Sequence, residues 1–413
     1  MPSLIVLLCA LFRTPMSKNP RIAYIANVRM PTEKAHGYQI MKMCEALAEE
    51  GATVTIFCPR RWQTNPRISI EESPFVYYGV RSIFTLRYVH NWDVVRIERF
   101  APSYIFPFLF YCHSALWGVY ALFVARKDAD VIYLRDDVPI AVMAALLGIP
   151  FVYEMHRIPA GLGRLAIRFL RSRSLRCVAT LTEHIRNRLV GEFGFDGGRV
   201  MVLPDGVDMR LFDSCEPRDV VRREAGLPTH ERLVGYVGTF TALGYEKGVD
   251  CLVHAMARVR ALYPDARLVC VGGPDEIIPQ YRRIAAHAGV LNAVYFTGRV
   301  HPYKAASWMR ACDILVIPLP YNEFFAYHTS PLKLFEYMAS GVPMVVSDLP
   351  SLREIVSEKE VIFAAPGDVE SLAVAIGSIL LDQAAAQRRA VNARHAVNAY
   401  SWQFRACAVL RFI

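Results

Sequence analysis

The residues best suited to carry chemistry lie in the second half of the chain, in HTSPLKLFEYMASG at positions 328–341. Ser330 is a residue type that caps helix starts, and Pro331 suits the first helical position. The free N–H groups and the dipole of a helix start favour a bound anion. Lys333 lies in the first turn, where a cation needs an anion nearby, and Glu336 follows on the same side. A nucleoside diphosphate fits this pattern, with its ribose hydroxyls on Glu336. The alternative is an ordinary Lys–Glu surface pair.

Three glycine-containing segments in the same half each follow a predicted strand. The first, YVGTFTALGYEKG, contains Gly238 and ends near Lys247 at a helix start, but it lacks the spacing of a P-loop. The other two are Gly272-Gly273-Pro274 and Gly298-Arg299-Val300. Glycine lets the backbone approach a ligand closely, and doubly wound domains bind nucleotides where their strands end. Each segment taken alone is also a common turn.

Two series of alternating strands and helices are expected to position these residues. In the first half we predict strands at 21–26, 53–58, 130–134 and 150–154, with helices at 38–50 and 139–147. In the second half we predict strands at 233–237, 267–271, 294–296, 314–318, 344–347 and 361–364, with helices that include 248–262, 278–288 and 331–339. Continuous apolar strands that alternate with helices indicate parallel sheets covered on both faces.

This pattern predicts an α/β protein of two doubly wound, Rossmann-like domains that face a central cleft. The turn-rich segment at 203–212 separates them, and 413 residues suffice for both cores. We expect a first domain over 19–205 and a second over 206–395. Residues 396–413 are expected to form a C-terminal helix that packs back toward the first domain.

The net charge of +9 is concentrated in the first half. Residues 1–205 contain 25 Lys and Arg against 17 Asp and Glu, whereas residues 206–413 contain 22 against 21. The first half is therefore the part expected to meet a polyanion or an anionic membrane surface. No zinc finger, RNP-type strand or Lys/Arg run supports nucleic acid, and we expect no nucleic-acid partner.

The ten cysteines include no CxxC pair and lie mostly in apolar runs. This usage is typical of small buried residues in a reducing cytosol, so we expect neither a structural disulfide nor a metal site. The expected location is cytoplasmic, with peripheral attachment to the inner face of the membrane as a further expectation.

Two apolar segments bear on that attachment. The run at 3–12 is too short to span a bilayer, and we interpret the first fifteen residues as an upstream-start artefact or a loose extension. Residues 101–125 contain no Asp, Glu, Lys or Arg and are just long enough to span. The alternative for 101–125 is a buried or surface-docked helix that leads into the next strand.

A basic segment gives the third membrane signal. Arg164, Arg168 and Arg171 fall at helical spacing within GRLAIRFLRSRSLRC, and apolar residues interleave with them. The spacing predicts an amphipathic helix that binds anionic lipid. A solvated charged face is the alternative.

The four segments of the second half, in this order and spacing, resemble the retaining glycosyltransferases of family 4, which have the GT-B architecture. The resemblance runs over YVGTF…EKG, LVCVGGP, FTGRV, DILVIPLPY, SPLKLFEYMASGVPMVVSD and YSWQFRA. It extends into the first half through RIAYIANVRMPTEKAHGYQIMKMCEALAEEG, DVIYLRDD, YEMHR and LPDGVD, and covers roughly residues 19–405. It implies that a UDP- or GDP-linked sugar binds the second domain as co-substrate, that the acceptor binds mainly the first, and that no metal or other cofactor is needed.

The resemblance also implies roles for single residues. Glu336 matches the second acid of the family's E-x7-E motif, which holds the ribose, and Lys247 matches the basic residue that neutralises the diphosphate. The backbone at 298–300 matches the base-binding loop. His156 matches a histidine near the sugar, and Gly37 matches a glycine loop that closes over the phosphates.

The resulting assignments fall into three groups. The residues expected to act in catalysis are His156, Lys247 and Glu336. The residues expected to bind the donor are Gly37, Gly238, Thr239, Lys247, Gly298, Arg299, Val300, His328, Ser330, Pro331, Leu332, Lys333 and Glu336. The residues expected to bind the acceptor are Tyr38, Arg135 and Asp136.

Two positions depart from the family pattern. His328 lies eight residues before Glu336, where the family has an acid. Thr239 lies where the family usually has an arginine, so one diphosphate cation is missing or is supplied by Lys333. We interpret the chain as an active variant. The family is thought to react on one face of the sugar, with the leaving phosphate helping to deprotonate the acceptor hydroxyl.

The expected reaction is sugar transfer to a hydroxyl of a lipid-linked or saccharide acceptor, in polysaccharide, lipopolysaccharide or glycolipid assembly. Two alternatives stay open. A nucleotide-sugar epimerase on the same fold would need an acidic pair, for which Asp136 and Asp137 are the candidates. A non-catalytic partner subunit with a degenerate site would account for Thr239 and His328.

Overall fold

The structure is a computed structural model that describes residues 19–61, 73–91, 106–242 and 244–413. These residues divide into two compact units. The first unit contains the chain up to Pro204 together with Trp402–Ile413, and the second contains Asp205–Ser401. The predicted extension at 1–15 and residues 101–105 of the apolar segment lie outside the described residues.

The first unit is built on a seven-stranded parallel sheet in the order β3-β2-β1-β4-β5-β6-β7. Its strands are β1 (Arg21–Ile25), β2 (Thr53–Pro59), β3 (Thr85–Val89), β4 (Val131–Arg135), β5 (Phe151–Met155), β6 (Leu175–Thr180) and β7 (Val200–Val202). Its connecting helices are α1 (Ala35–Glu49), α2 (Pro74–Tyr78), α3 (Phe106–Ala125), α4 (Val138–Leu146), α5 (Gly161–Ala166) and α6 (Glu183–Gly191), with 3-10 turns at Ile167–Leu170 and Gly197–Arg199. The strand order reverses at β1, as a doubly wound sheet requires.

The second unit has a six-stranded parallel sheet in the order β12-β11-β8-β13-β14-β15, which reverses at β8. Its strands are β8 (Arg232–Val237), β11 (Ala266–Val271), β12 (Val294–Gly298), β13 (Ile314–Ile317), β14 (Met344–Ser347) and β15 (Ile362–Ala364), and β9 (Thr241–Ala242) and β10 (Tyr245–Glu246) form a separate hairpin. Its helices are α7 (Arg210–Asp213), α8 (Arg218–Glu224), α9 (Val249–Leu262), α10 (Ile278–His287), α11 (Pro302–Ala311), α12 (Glu323–Tyr327), α13 (Leu332–Ser340), α14 (Pro350–Arg353), α15 (Val369–Leu381) and α16 (Gln383–Ala396), with 3-10 turns at Asp275–Ile277, Leu291–Ala293 and Val397–Tyr400.

The apolar strands form because both faces of each sheet are covered. In β13, Ile314 and Val316 pack into the hydrophobic cluster on one face of the sheet, and Leu315 and Ile317 pack into the cluster on the other. Successive side chains of a strand point to opposite faces, so a strand buried on both sides must be apolar throughout. This confirms the predicted α/β class and the two doubly wound sheets.

The apolar segment before β4 forms a docked helix over its described part. In α3, Trp117, Ala121 and Leu122 are buried in the core of the first unit, while Leu116 and Tyr120 are exposed. Taken singly, none of the described helices combines the length and apolar character needed to cross a membrane. Within the described ranges, one pair of helices passes that test together: α15 and residues Gln383–Tyr400, which are bent by 101° relative to each other.

The last helix, α17 (Trp402–Leu410), belongs to the first unit, where it packs on α1. Gln403 donates a hydrogen bond to the Glu49 carboxylate at 2.5 Å, and the ring of Trp402 meets that of Tyr38 edge-on at 6.4 Å. The first unit resumes at Trp402, whereas the predicted C-terminal segment starts at 396.

The predicted basic helix is wrong in its extent. Helix α5 ends at Ala166, a 3-10 turn follows, and β6 begins at Leu175. Ile167 and Leu170 are fully buried, because this segment covers one face of the sheet. Residues 175–180 (LRCVAT) form a strand, so the helix does not extend to the end of the predicted basic segment.

Candidate functional site

Helix α13 begins one residue later than predicted. Pro331 is at its N-cap position and Leu332 is its first residue. Ser330 does not cap the helix, because its hydroxyl accepts a hydrogen bond from the backbone N–H of Asp205 at 2.8 Å. Among the described residues, no side chain caps α13. The first N–H groups of the helix are therefore left for solvent or a ligand.

Lys333 is a buried cation in the first turn of this helix. Its Nζ lies 3.7 Å from the centroid of the Tyr236 ring and has no hydrogen-bond partner within the described part of the chain. Burial and the neighbouring Lys247 lower the pKa of Lys333 well below its ordinary value, against the opposite effect of Glu336. A buried ammonium without an acceptor is costly, so this position favours an anion.

The loop after β8 passes directly over Lys333. Gly238 has a φ of 143°, which side chains rarely adopt, and a Cβ there would lie 3.1 Å from Nζ of Lys333. The next residue, Thr239, is exposed, and its hydroxyl accepts a hydrogen bond from Nζ of Lys247 at 2.8 Å. Burial lowers the pKa of Lys247 to about 8. Two lysines thus lie close to one short stretch of backbone.

Glu336 lies one turn after Lys333 on helix α13. Burial raises the pKa of Glu336 to about 7, Lys333 opposes this rise, and Asp205 adds to it. Glu336 therefore lies close enough to Lys333 and Asp205 to feel both charges. An ionised carboxylate is an acceptor for two hydroxyl groups, as a ribose diol would supply.

The three glycine segments lie together at the ends of neighbouring strands. The backbone N–H of Gly238 donates to the carbonyl of Val271, and that of Gly272 donates to the carbonyl of Gly298. The N–H of Arg299 donates to the Asp275 carboxylate at 3.0 Å. The three segments therefore lie side by side where strands β8, β11 and β12 end.

His328 and Val300, which were also predicted to bind the donor, are buried and half-buried in the second unit. His328 is the C-cap residue of α12, its side chain is buried, and its N–H donates to the carbonyl of Phe324 at 2.9 Å. Val300 is half-buried against the core of the second unit.

In the first unit, His156 is held at the end of β5 by several charged groups. Its Nε2 lies 2.6 Å from Oε1 of Glu154, and its Nδ1 lies 3.1 Å from Nη2 of Arg135. Glu154 also accepts a hydrogen bond from the Tyr133 hydroxyl at 2.5 Å and pairs with Arg405 at 3.0 Å. Burial alone would raise the pKa of Glu154, but Arg405 and His156 lower it below its usual range.

The three predicted acceptor residues lie near His156 or on α1. Asp136 has an unusual positive φ of 52°, and its carboxylate accepts the backbone N–H of His156 at 2.8 Å. Arg135 donates to the Gln39 side chain at 2.6 Å, and the half-buried Tyr38 follows Gly37 on α1. The hydrogen bond between the Asp136 carboxylate and the backbone of His156 therefore holds these two residues next to each other.

Asp137, the second acid considered for an epimerase, makes hydrogen bonds within the first unit. Asp137 caps α4 by accepting the N–H of Ile140 at 3.3 Å, and it also accepts from Asn27 at 3.4 Å. Burial raises its pKa to about 6. The helix cap accounts for this carboxylate without a catalytic role.

The prediction that Gly37 lies in a loop is wrong. Gly37 lies inside helix α1, which starts at Ala35, before the predicted start at 38. A Cβ at this position would lie 2.1 Å from the hydroxyl oxygen of Tyr78, so the close approach of α2 requires glycine here. The Tyr78 hydroxyl in turn donates to the carbonyl of Thr32 and accepts from its N–H.

Sequence reasoning missed four residues that shape these sites: Glu154, Arg405, Asp205 and Tyr236. Glu154 could have been found, since a lone acid within the apolar strand FVYEM must have a partner if it is buried. The others have no local signal, because their partners lie far away in sequence.

The described residues contain no cluster of three or more His, Cys, Asp or Glu side chains suited to a metal ion. None of the nine described cysteines forms a disulfide bond.

Comparison with known families assigns both halves of the chain. The model "Glycosyltransferase Family 4" matches residues 37–211, and the model "Glycosyl transferases group 1" matches residues 231–382. Together they cover well over half of the chain. The protein therefore belongs to the family 4 glycosyltransferases, as its motifs predicted.

Individual relatives agree with this assignment. A D-inositol 3-phosphate glycosyltransferase of Xylanimonas cellulosilytica is 30% identical over 56% of this chain and 55% of its own length. A phosphatidyl-myo-inositol mannosyltransferase of Mycobacterium tuberculosis is 29% identical over 90% of both chains. The chain spans about half the length of the first curated relatives it matches.

Solved structures show the same fold. The crystal structure of Anabaena HepE in complex with UDP and glucose matches 94% of this chain and 98% of its own, with a TM-score of 0.69 and 16% identity. The GT-B class predicted from the sequence is thereby confirmed.

Proposed function

We propose that the protein transfers a sugar from a nucleoside diphosphate sugar to an acceptor hydroxyl, with retention of configuration and without a metal ion. The observation that carries this proposal is the buried Lys333, which has no described partner and lies beside Lys247 at the uncapped start of α13. The complex of the structurally similar HepE with UDP and glucose supports a donor of this class.

The chemistry follows from where charge develops. As the sugar leaves, negative charge grows on the diphosphate, and preorganised cations and N–H groups stabilise it most in the transition state. Lys247, Lys333 and the start of α13 supply those groups. Glu336 binds the ribose hydroxyls, and the loop at 298–300 binds the base through its backbone.

The acceptor is proposed to bind the first unit, at Tyr38, Arg135 and Asp136, with His156 as a positioning group. A lipid-linked acceptor is favoured over a free saccharide by one surface of this unit. Leu162, Leu165 and Phe169 on and after α5 have 84%, 62% and 59% of their surfaces exposed. The relative from Mycobacterium tuberculosis is named for a phosphatidyl-inositol acceptor.

Release of nucleoside diphosphate from a panel of UDP-, GDP- and ADP-sugars tests the proposed activity. At least one donor should turn over, at an unchanged rate in EDTA, and Lys247→Ala should lower turnover more than donor binding. The matched control is Lys359→Ala, an exposed lysine of the same unit. Absence of turnover with every donor, or loss in EDTA that Mn²⁺ or Mg²⁺ restores, would contradict the proposal.

Flotation with liposomes tests attachment to the membrane. Arg168 and the three exposed apolar residues Leu162, Leu165 and Phe169 form a basic apolar surface, and such surfaces bind anionic vesicles at low salt. The wild type should float with anionic vesicles, less so at high salt, and the triple replacement of the apolar residues by Ser should remain at the bottom.

The matched control for flotation is the double replacement Val374→Ser and Leu381→Ser, which removes two exposed apolar side chains from α15 of the second unit. This variant should float like the wild type. A wild type that stays at the bottom of the gradient at every salt concentration would remove the support for a lipid-linked acceptor.

A further inference from the structure

A second histidine, His36, lies beside the predicted acceptor residues of the first unit. It is in the first turn of α1, next to Gly37, and it is half-buried. The start of α1 is held to the end of β4, because Nη2 of Arg135 donates to Oε1 of Gln39 at 2.6 Å. Residues three apart share one face of a helix, so His36 lies on the face of α1 that carries Gln39 and meets Arg135.

The charges that act on His36 agree with this placement. Burial lowers the pKa of His36 to about 3, and the positive charges of Arg135 and Lys34 add to the effect. His156 lowers this pKa too, and Glu33 opposes these charges. His36 is therefore neutral at neutral pH. A neutral imidazole has one nitrogen that donates a hydrogen bond and one that accepts.

The two histidines differ in what their rings contact. Nε2 of His156 lies 2.6 Å from Oε1 of Glu154, and its Nδ1 lies 3.1 Å from Nη2 of Arg135. Both ring nitrogens of His156 are therefore engaged by neighbours within the first unit. Among the described residues, none forms a hydrogen bond with the ring of His36. A hydroxyl that approaches this part of the first unit finds the unoccupied imidazole at His36 and not at His156.

We propose that His36 is the imidazole that contacts the acceptor hydroxyl, whereas the ring of His156 is fixed by Glu154 and Arg135. This inference rests on the proposed function and specifies the group that orients the acceptor. The neutral ring of His36 accepts a hydrogen bond from the hydroxyl and so holds its oxygen in place. A group with so low a pKa does not keep a proton at neutral pH, so His36 orients the hydroxyl and does not act as a base.

Donor hydrolysis tests the inference whatever the natural acceptor is, because water presents the same O–H group to His36. Release of nucleoside diphosphate from the active donor should be measured for the wild type, His36→Ala, His36→Gln and His90→Ala. His36→Ala should lower kcat by about 3- to 10-fold, the range of one neutral hydrogen bond, and leave the KM of the donor unchanged. His36→Gln, whose amide carbonyl accepts a hydrogen bond, should recover part of the rate. His90→Ala removes an exposed histidine of the same unit and should match the wild type.

Chemical labelling gives a readout that does not depend on activity. Diethyl pyrocarbonate acylates a neutral imidazole nitrogen that has no hydrogen-bond partner, and peptide mass spectrometry maps the modified residue. In the wild type, His36 should be modified before His156, whose two ring nitrogens are engaged. His36→Ala should keep the thermal unfolding midpoint of the wild type, since no described residue loses a hydrogen bond. If this variant does not fold, His36→Gln and the labelling of the wild type decide the question.

The outcomes separate the inference from the proposed function. If the wild type releases nucleoside diphosphate from no donor, the proposed function is wrong and the inference fails with it. If the wild type is active and His36→Ala has the same kcat, the inference alone is wrong. A rise in the donor KM that matches the fall in kcat would also overturn it, because His36 would then contact the donor. Modification of His156 before His36 would overturn it as well, because the accessible imidazole would then be His156.

Discussion

One buried charge of the first unit and one of the second are satisfied in different ways. In the first unit, the carboxylate of Glu154 is satisfied by Tyr133, His156 and Arg405. In the second unit, the ammonium of Lys333 lies over the ring of Tyr236 and has no hydrogen-bond partner among the described residues. A satisfied buried ion stabilises the fold that holds it, whereas an unsatisfied one is stabilised by a ligand of opposite charge. The comparison therefore distinguishes a buried ion that the fold satisfies from one for which we propose a ligand.

The first prediction gives the largest effect and concerns Arg405. Its guanidinium pairs with Glu154 and donates to the carbonyls of Leu203 and Pro204. Arg405→Met leaves the Glu154 carboxylate buried without its main cation, which should lower the free energy of unfolding by about 3–5 kcal/mol. Urea denaturation, followed by circular dichroism, measures the change.

The matching substitution in the second unit is Lys333→Met, which removes a cation that has no described acceptor. Its free energy of unfolding should fall by less than that of Arg405→Met, because no buried carboxylate loses its partner. Equal destabilisation by the two substitutions would remove the distinction between the units.

The second prediction concerns Glu336 and the ribose. Glu336→Gln should weaken binding of the preferred nucleoside diphosphate by about 1.5–3 kcal/mol, the range of one hydrogen bond to a charged group. The 2′,3′-dideoxy analogue lacks the hydroxyls, so its affinity should not depend on this substitution. Glu370→Gln, at an exposed ion pair with Arg258, is the control and should bind normally. An equal loss for both ligands would place Glu336 away from the ribose.

The third prediction is the pH dependence of binding, which is the smallest effect. Lys247 has a pKa lowered to about 8, and only its protonated form attracts the diphosphate, so affinity should fall as the pH rises above about 8. Glu336 has a pKa raised to about 7, and its ionised form accepts from the ribose, so affinity should also fall below about pH 7. The change should approach tenfold per pH unit for each group at most.

Calorimetric titrations from pH 6 to pH 9 measure this profile. Lys247→Arg keeps its charge throughout the range, so it should reduce the alkaline limb and leave the acid side unchanged. The limb that remains belongs to Lys333, whose pKa is also lowered. An alkaline limb as steep as that of the wild type would mean that Lys247 does not contribute to it.

The sequence predicted the strands of the second unit well, since ILVI in β13 and MVV in β14 are continuous apolar runs and are buried. It did not predict β3, because TLRYV lies at a sheet edge and is largely exposed, so it has no continuous apolar run. Strand β6 was missed for another reason, since the arginines before it have a helical spacing that extends into the strand.

The candidate site was predictable where its chemistry is local. Lys247, Lys333 and Glu336 follow from residue type and from their place in family motifs. The partners that set their charges do not, because Tyr236 reaches Lys333 and Asp205 reaches Glu336 only after the sheet has formed. Helix α13 also begins one residue later than the sequence predicted, because the Ser330 hydroxyl accepts the N–H of Asp205 and does not cap the helix.

A crystal structure of the protein with its preferred nucleoside diphosphate tests the central claim most directly. The account predicts diphosphate oxygens within hydrogen-bond distance of Nζ of both Lys247 and Lys333, with the ribose hydroxyls at the Glu336 carboxylate. A bound nucleotide whose phosphates contact neither lysine, with Lys333 still covered only by Tyr236, would contradict it.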